Sequence, residues 1–273
     1  MFKRVGSSLL HTPMSMPYFT PSQDPGANFQ ALLSRVGLSH QPTSGLSVAD
    51  IPHATTCVAV TYQDGVVMAG DRRATAGNLI SHRDMEKVVQ ADTFSGVGIA
   101  GAAGPAMEMI KLFQLQLEHY EKMEGQQLSL EGKANQLSTM VRANLPSAMQ
   151  GLGVVPIFGG FEPRQAKGRL WDYDVTGGRY EEREFVAIGS GSLHAGTVIK
   201  IGWRPQMTQG DAVTLVCRAL WEAADADSAT GGPDVLRGIF PIVASISQNG
   251  WVAVEDAELA GVFESIISQV RSR

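Results

Sequence analysis

A chain of 273 residues, 44% of them hydrophobic, holds one large domain or two small ones and has ample apolar surface for a core. Its net charge of −5 and the absence of any basic run exclude a protein built to neutralise phosphates, so no nucleic-acid partner is expected. No apolar run reaches the roughly 18 residues a membrane span needs, and Ser7, Ser8, His11 and Pro13 interrupt any signal-peptide core behind Lys3 and Arg4. A cytoplasmic protein without a membrane partner is the expectation.

Six of the 13 prolines and eight serines fall within residues 1–54. Such a segment cannot bury enough apolar surface to offset its ordering entropy. One stretch inside it, ANFQALLSRVG, sets Phe29, Leu32, Leu33 and Val36 at helical spacing between a possible N-cap, Asn28, and a stop, Gly37. It reads as a chance amphipathic turn in a tail, or as a short helix that docks on a partner during assembly. From Thr55 the character changes. TTCVAVTY and VVMAGDRR flank Gln63-Asp64-Gly65, a hairpin signal, and NLIS, KVVQ and SGVGIAG continue the strands. A helix follows near 105–123, and a second near 129–150 that Pro146 must kink or shorten. Strands return at VVPIFGGF, RLWDYDV and REFVAIGS, then a helix near 210–226. IFPIVASI and WVAVE form a hairpin around Gln248-Asn249-Gly250, and a last helix runs near 256–271. Strand groups joined by hairpins predict antiparallel sheets with helices outside them.

The two cysteines, Cys57 and Cys217, lie within apolar patterns and read as buried small hydrophobes rather than a disulfide or metal site. His11, His40 and His53 precede the boundary, and His82, His119 and His194 read as surface or packing residues. No metal and no cofactor are expected.

The chemistry gathers at Thr55. With a three-residue loop Gln63-Asp64-Gly65, Asp71 opposes Cys57 and shares a face with Thr55; a two-residue loop moves it to the face of Thr56. A buried carboxylate needs a partner, and Lys87, in an otherwise apolar stretch, is the nearest candidate. A threonine hydroxyl is a poor nucleophile until a neighbouring base takes its proton. Cleavage after Ala54 would create that base, because a free α-amine has a pKa of roughly 7.7–8.0 whereas an amide nitrogen is no base. A nearby ammonium lowers that value further, and the β-branched side chain limits χ1 and so partly aims the hydroxyl. Hence residues 1–54 read as a removable propeptide and residues 55–273 as the catalytic domain.

TTCVAVTYQDGVVMAGDRRATAGN with Lys87, GIAG at 98–101, GSGS at 189–192 and DADSATGGPD at 225–234 together resemble proteasome β-type subunits, and the His-Ala end of the propeptide resembles the actinobacterial branch. The resemblance covers residues 55–265 and implies the α+β, four-layer αββα sandwich of the N-terminal-nucleophile hydrolases. It implies a threonine endopeptidase with Thr55 as nucleophile beside Asp71 and Lys87, and Gly101 as the oxyanion amide. Ser190, Asp227 and Thr230 would orient the amine, with Thr230 standing where serine is usual. Independently, Asp225 and Asp227 end a predicted helix, where the macrodipole disfavours carboxylates unless something pairs with them.

By the same resemblance, Ala74, Met85, Ile99, Ala103 and Met107 wall a substrate pocket, with Thr75 holding the substrate backbone. Five apolar walls suit a large apolar residue before the scissile bond. Implied partners are α-type subunits, further β subunits in seven-membered rings of a four-ring particle, a ring-shaped ATPase activator and unfolded protein substrates. Two alternatives stand beside this reading. A catalytically silent β-ring scaffold is disfavoured by the intact Thr55, Asp71 and Lys87. A subunit of the two-ring ATP-dependent bacterial relative usually reads Gly-Asp-Gly-Gln where this chain has Gly70-Asp71-Arg72-Arg73.

Overall fold

The computed structural model describes residues 55 to 272; the expected propeptide, with its Phe29, Leu32, Leu33 and Val36 turn and Ala54, lies outside the described residues. Twelve strands and six helices follow one another there. The first strands are β1 (Thr56–Tyr62), β2 (Gly65–Gly70), the small β3–β4 hairpin (Ala74–Ala76, Leu79–His82), β5 (Val88–Asp92) and β6 (Ser95–Gly101). Helices α1 (Ala103–Glu124), α2 (Leu130–Ala143) and the short α3 (Leu145–Ala148) come next, and then β7 (Val154–Glu162), β8 (Lys167–Tyr173), β9 (Arg179–Glu182) and β10 (Phe185–Gly189). The chain closes with α4 (Ser192–Gly202), α5 (Gln209–Ala226), β11 (Ile242–Ser247), β12 (Gly250–Ala253) and α6 (Asp256–Arg271). Pro146 ends the second predicted helix as expected: α2 stops at Ala143, and Pro146 sits in the first turn of α3, where its missing N–H costs nothing.

Two five-stranded antiparallel sheets, β10-β1-β2-β11-β12 and β5-β6-β7-β8-β9, face one another. The alternation along β1 explains how. Val58 and Val60 point to one side, into a core with Ala195 and Ile199 of α4, Val216 and Leu220 of α5 and Phe263 of α6. Cys57 and Ala59 point to the other side, into an inter-sheet core with Met68, Ile157 and Leu170. The outer face of the second sheet is covered by α1 and α2 through Ile110, Phe113, Leu137, Phe158 and Trp171. Helices, sheet, sheet, helices: the four-layer αββα sandwich stands.

The first hairpin has the shorter of the two loops considered. Tyr62 pairs with Gly65 and Cys57 with Gly70, so only Gln63 and Asp64 turn, and Asp71 falls opposite Thr56 rather than Cys57. Gly65 is therefore a strand residue. Its place there follows from a close approach: a Cβ on Gly65 would lie 2.0 Å from the Ile246 carbonyl oxygen, and one on Gly168 would lie 2.4 Å from the Gly65 carbonyl carbon. The two sheets touch backbone to backbone at this point. Gly168→Ala should accordingly lower the urea unfolding midpoint of the full chain by the equivalent of about 1–3 kcal/mol. An unchanged midpoint would mean the sheets have room to part.

Candidate active site

Thr55 stands just before β1 and is buried, with its carbonyl accepting the Ser190 N–H at 3.0 Å. Continuing the antiparallel pairing of Thr56 with Gly189 brings Ser190, at the end of β10, opposite Thr55. Gly189 must be glycine here, because its φ is +95° and a Cβ would lie 1.7 Å from the Thr55 carbonyl oxygen.

On the other side of β1 the chain leaves β2 at Gly70, and Asp71 becomes the hub of a closed set of bonds. Its Oδ1 accepts the Thr56 N–H at 2.8 Å and the Lys87 Nζ at 2.7 Å. Its Oδ2 accepts the Arg73 N–H at 2.9 Å and the Gly231 N–H at 2.8 Å. Lys87 also donates to the Arg73 carbonyl. Both charged side chains are 0% exposed. Taking a carboxylate and an ammonium out of water costs several kcal/mol per ion unless the geometry and the extra hydrogen bonds are good. Here every acceptor position of the carboxylate is filled, which meets that condition. Asp71 thus reaches the site through the Thr56 amide, not by sharing a strand face with Thr55.

The loop after α5 closes the arrangement. Asp227 caps the helix, its N–H bonded to the Ala223 carbonyl at 2.8 Å. Its Oδ2 accepts the hydroxyls of Ser190 and Thr230, each at 2.6 Å, and its Oδ1 the Ala229 N–H at 3.1 Å. Burial pushes this carboxyl upward, but the bonds from Ser190, Thr230 and Ala229 outweigh it and hold Asp227 below the ordinary carboxylate range. Thr230, expected to stand in for a serine, thus brings its hydroxyl to Asp227. Arg73 staples the loop from outside, its guanidinium donating to the carbonyls of Ser228 at 2.9 Å and Thr230 at 3.2 Å.

Gly101 ends β6 with φ of +111°, one residue before the N-cap of α1, so it does sit at a strand-to-helix turn. Of the pocket residues, Ile99 and Met107 pack into the core between α1 and the second sheet. Ala103 opens α1, Ala74 and Thr75 open β3, and half-buried Met85 donates its N–H to the Arg72 carbonyl at 3.0 Å. A cavity of about 700 Å³ lies elsewhere, between β5, α1 and β12, and does not include Thr55 or Lys87 in its lining. Beneath the site, burial pushes the Cys57 thiol up to about 12, so it packs rather than reacts. Among the described residues no group of three or more His, Cys, Asp or Glu side chains is placed to hold a metal. Nor is any helix there long and apolar enough to cross a membrane.

Sequence reasoning missed Thr56, Arg73, Gly191 and Gly231. Gly231 has a readable cause only in three dimensions, since a Cβ there would meet the Arg73 Cβ at 2.7 Å and the Asp71 Oδ2 at 3.2 Å.

Similarity to known proteins identifies the family. The family model described as "Proteasome subunit" matches residues 51–236. The chain is 54% identical over 262 residues to a proteasome subunit beta of Acidimicrobium ferrooxidans, covering 95% of this chain and 96% of the relative. It is 57% identical over 220 residues to a proteasome subunit beta of Streptomyces griseus, covering 81% of this chain and 78% of the relative. The chain belongs to the proteasome family, on its β-type, actinobacterial branch.

Proposed function

We propose that the chain is a self-processing threonine endopeptidase subunit, with Thr55 as nucleophile once the segment before it has been removed. The observation that carries this reading is the fully buried Lys87–Asp71 pair, bonded through Asp71 to the amide of the residue after Thr55. A fold does not need such a pair for stability, since apolar residues of the same volume serve as well. Nucleophilic catalysis gives it a use, since a nearby cation is one of the ways a weak nucleophile or its base is activated.

On this reading the Thr55 α-amine takes the hydroxyl proton as Oγ attacks a substrate carbonyl. The Lys87 ammonium favours the neutral, basic amine, and Asp71 holds that lysine in place. The Gly101 N–H receives the developing oxyanion, a donor of the kind whose loss costs about 2.7–4 kcal/mol of barrier. Collapse releases the amine product and leaves an ester on Thr55, which water hydrolyses. Ser190, Asp227 and Thr230 orient the amine. Ala74, Met85, Ile99, Ala103 and Met107 receive the residue before the cut bond, and Thr75 aligns its backbone. Partners are α-type subunits and further β subunits in stacked rings. A ring-shaped ATPase delivers unfolded chains to the enclosed cytoplasmic chamber.

Processing uses the same hydroxyl. Water stands in for the missing amine base: it takes the Thr55 Oγ proton as Oγ attacks the Ala54 carbonyl and returns a proton to the nitrogen, which leaves as the free amine, and a second water hydrolyses the ester. Intact mass of particles formed with an α-type subunit should give a chain beginning at Thr55, and Thr55→Ala should retain residues 1–54. A mature chain beginning anywhere else sinks the mechanism.

A further inference from the structure

We propose that Thr56 is a positioning residue that locks the hydroxyl cluster around Asp227 to the strand carrying Thr55; this rests on the threonine-peptidase reading above. Thr56 is 0% exposed and bonds both halves of the site, the Asp71 carboxylate directly and the Asp227 hydroxyl cluster through its own hydroxyl, whereas Arg73 reaches the Asp227 loop only at backbone carbonyls. Its N–H goes to Asp71 at 2.8 Å, and its carbonyl accepts the Asp71 N–H at 3.1 Å. Its hydroxyl lies 2.6 Å from that of Thr230, which is 174 positions away in the chain.

The direction of this second link is fixed. Thr230 has one hydroxyl hydrogen, and it is donated to Asp227. Thr56 must therefore be the donor to Thr230, while its own oxygen accepts the Gly191 N–H at 3.0 Å. The result is a one-way chain from Gly191 through Thr56 and Thr230 to the Asp227 oxygen that Ser190 also reaches. Gly191 is held to glycine by the same convergence. A Cβ there would lie 2.5 Å from the Thr56 oxygen and 2.7 Å from the Thr230 oxygen. Valine at position 56 would keep the shape but leave the Gly191 N–H and the Thr230 oxygen unpaired in a dry site. Thr230 could then swing, taking Asp227 and Ser190 with it.

Thr56 does not touch substrate on this reading, so its loss should appear in turnover and not in substrate affinity. In particles assembled with an α-type subunit, Thr56→Val should lower kcat about 10-fold, with KM within about twofold of the parent. Thr56→Ser, which keeps the hydroxyl, should restore kcat to within about twofold of the parent. Thr230→Val should match Thr56→Val, and the double variant should be no worse than the poorer single one. A Thr56→Val particle with parental kcat overturns the proposal, as do a serine variant as poor as the valine one and effects that add independently. So does a Thr56→Val chain that fails to assemble while Thr230→Val turns over normally. Thr55→Ala separates the two levels. Peptidase activity that survives it would remove the threonine-peptidase reading itself, whatever Thr56 does.

Discussion

Replacing Lys87 with alanine should leave an assembled particle with its peptidase activity reduced by at least about 100-fold and with residues 1–54 still attached. The chain should nonetheless fold. Without the lysine, Asp71 keeps three backbone donors, from Thr56, Arg73 and Gly231. A carboxylate that accepts two or three backbone N–H bonds stays ionised and solvated by the protein. What disappears, on the proposed mechanism, is the positive charge that lowers the proton affinity of the Thr55 amine. Lys87→Arg should fail as well, because the space holds a compact ammonium between the Asp71 carboxylate and the Arg73 carbonyl. A planar guanidinium fork cannot fill that role. Since processing and turnover share the site on the proposed mechanism, a Lys87→Ala chain synthesised to begin at Thr55 distinguishes them. Peptide hydrolysis near the parental rate in that particle would remove Lys87 from the chemistry.

Much of the sandwich was legible in the sequence because its strands alternate and its amphipathic helices do not. The stretch from Val58 to Val60 and the stripe Ala212, Val216, Ala219, Leu220 each reveal one buried face. Helix α4 was not legible. SLHAGTVIKIG contains Gly196, Thr197, Val198, Ile199 and Ile201, all weaker helix formers than alanine, and its N-cap Gly191 offers no side-chain bond. It is helical because Ala195 and Ile199 pack into the core against α5, a tertiary reason that no local pattern carries.

The site divides in the same way. Thr55, Asp71 and Lys87 stand out as candidates by residue type and family likeness, while of the two hairpin loops considered the shorter one holds, which sets Asp71 opposite Thr56 and not Cys57. Gly65 looked like a turn glycine but is a packing glycine. Thr56 and Arg73 were invisible as site residues because their partners, Thr230 and Ser228, lie more than 150 positions away. Sequence patterns report neighbours on one element, and the hydroxyl chain joins three.

Asp71→Asn should cost both stability and activity, and a second substitution should return only the first. Each carboxylate oxygen of Asp71 accepts from two donors. An asparagine of the same shape must turn its NH₂ toward one of those donor pairs. Either way the buried Lys87 ammonium loses its counter-charge, and if the NH₂ faces that side, Lys87 and the Thr56 N–H lose their acceptor as well. If it faces Arg73 and Gly231, two amides lose their acceptor. Breaking a buried pair from one side typically costs about 3–5 kcal/mol, which for a domain of this size lowers Tm by roughly 6–20 °C. Combining Asp71→Asn with Lys87→Met removes the stranded charge. The amide nitrogen can then take the former Oδ1 side, where the Thr56 N–H is the donor left to oppose it. Thermal unfolding of the full chain should recover about half the lost stability, yet the assembled particle should remain inactive and unprocessed. Activity returning along with stability would mean the pair is a structural clamp. A single Asp71→Asn variant with parental Tm and turnover would mean the carboxylate is needed for neither role.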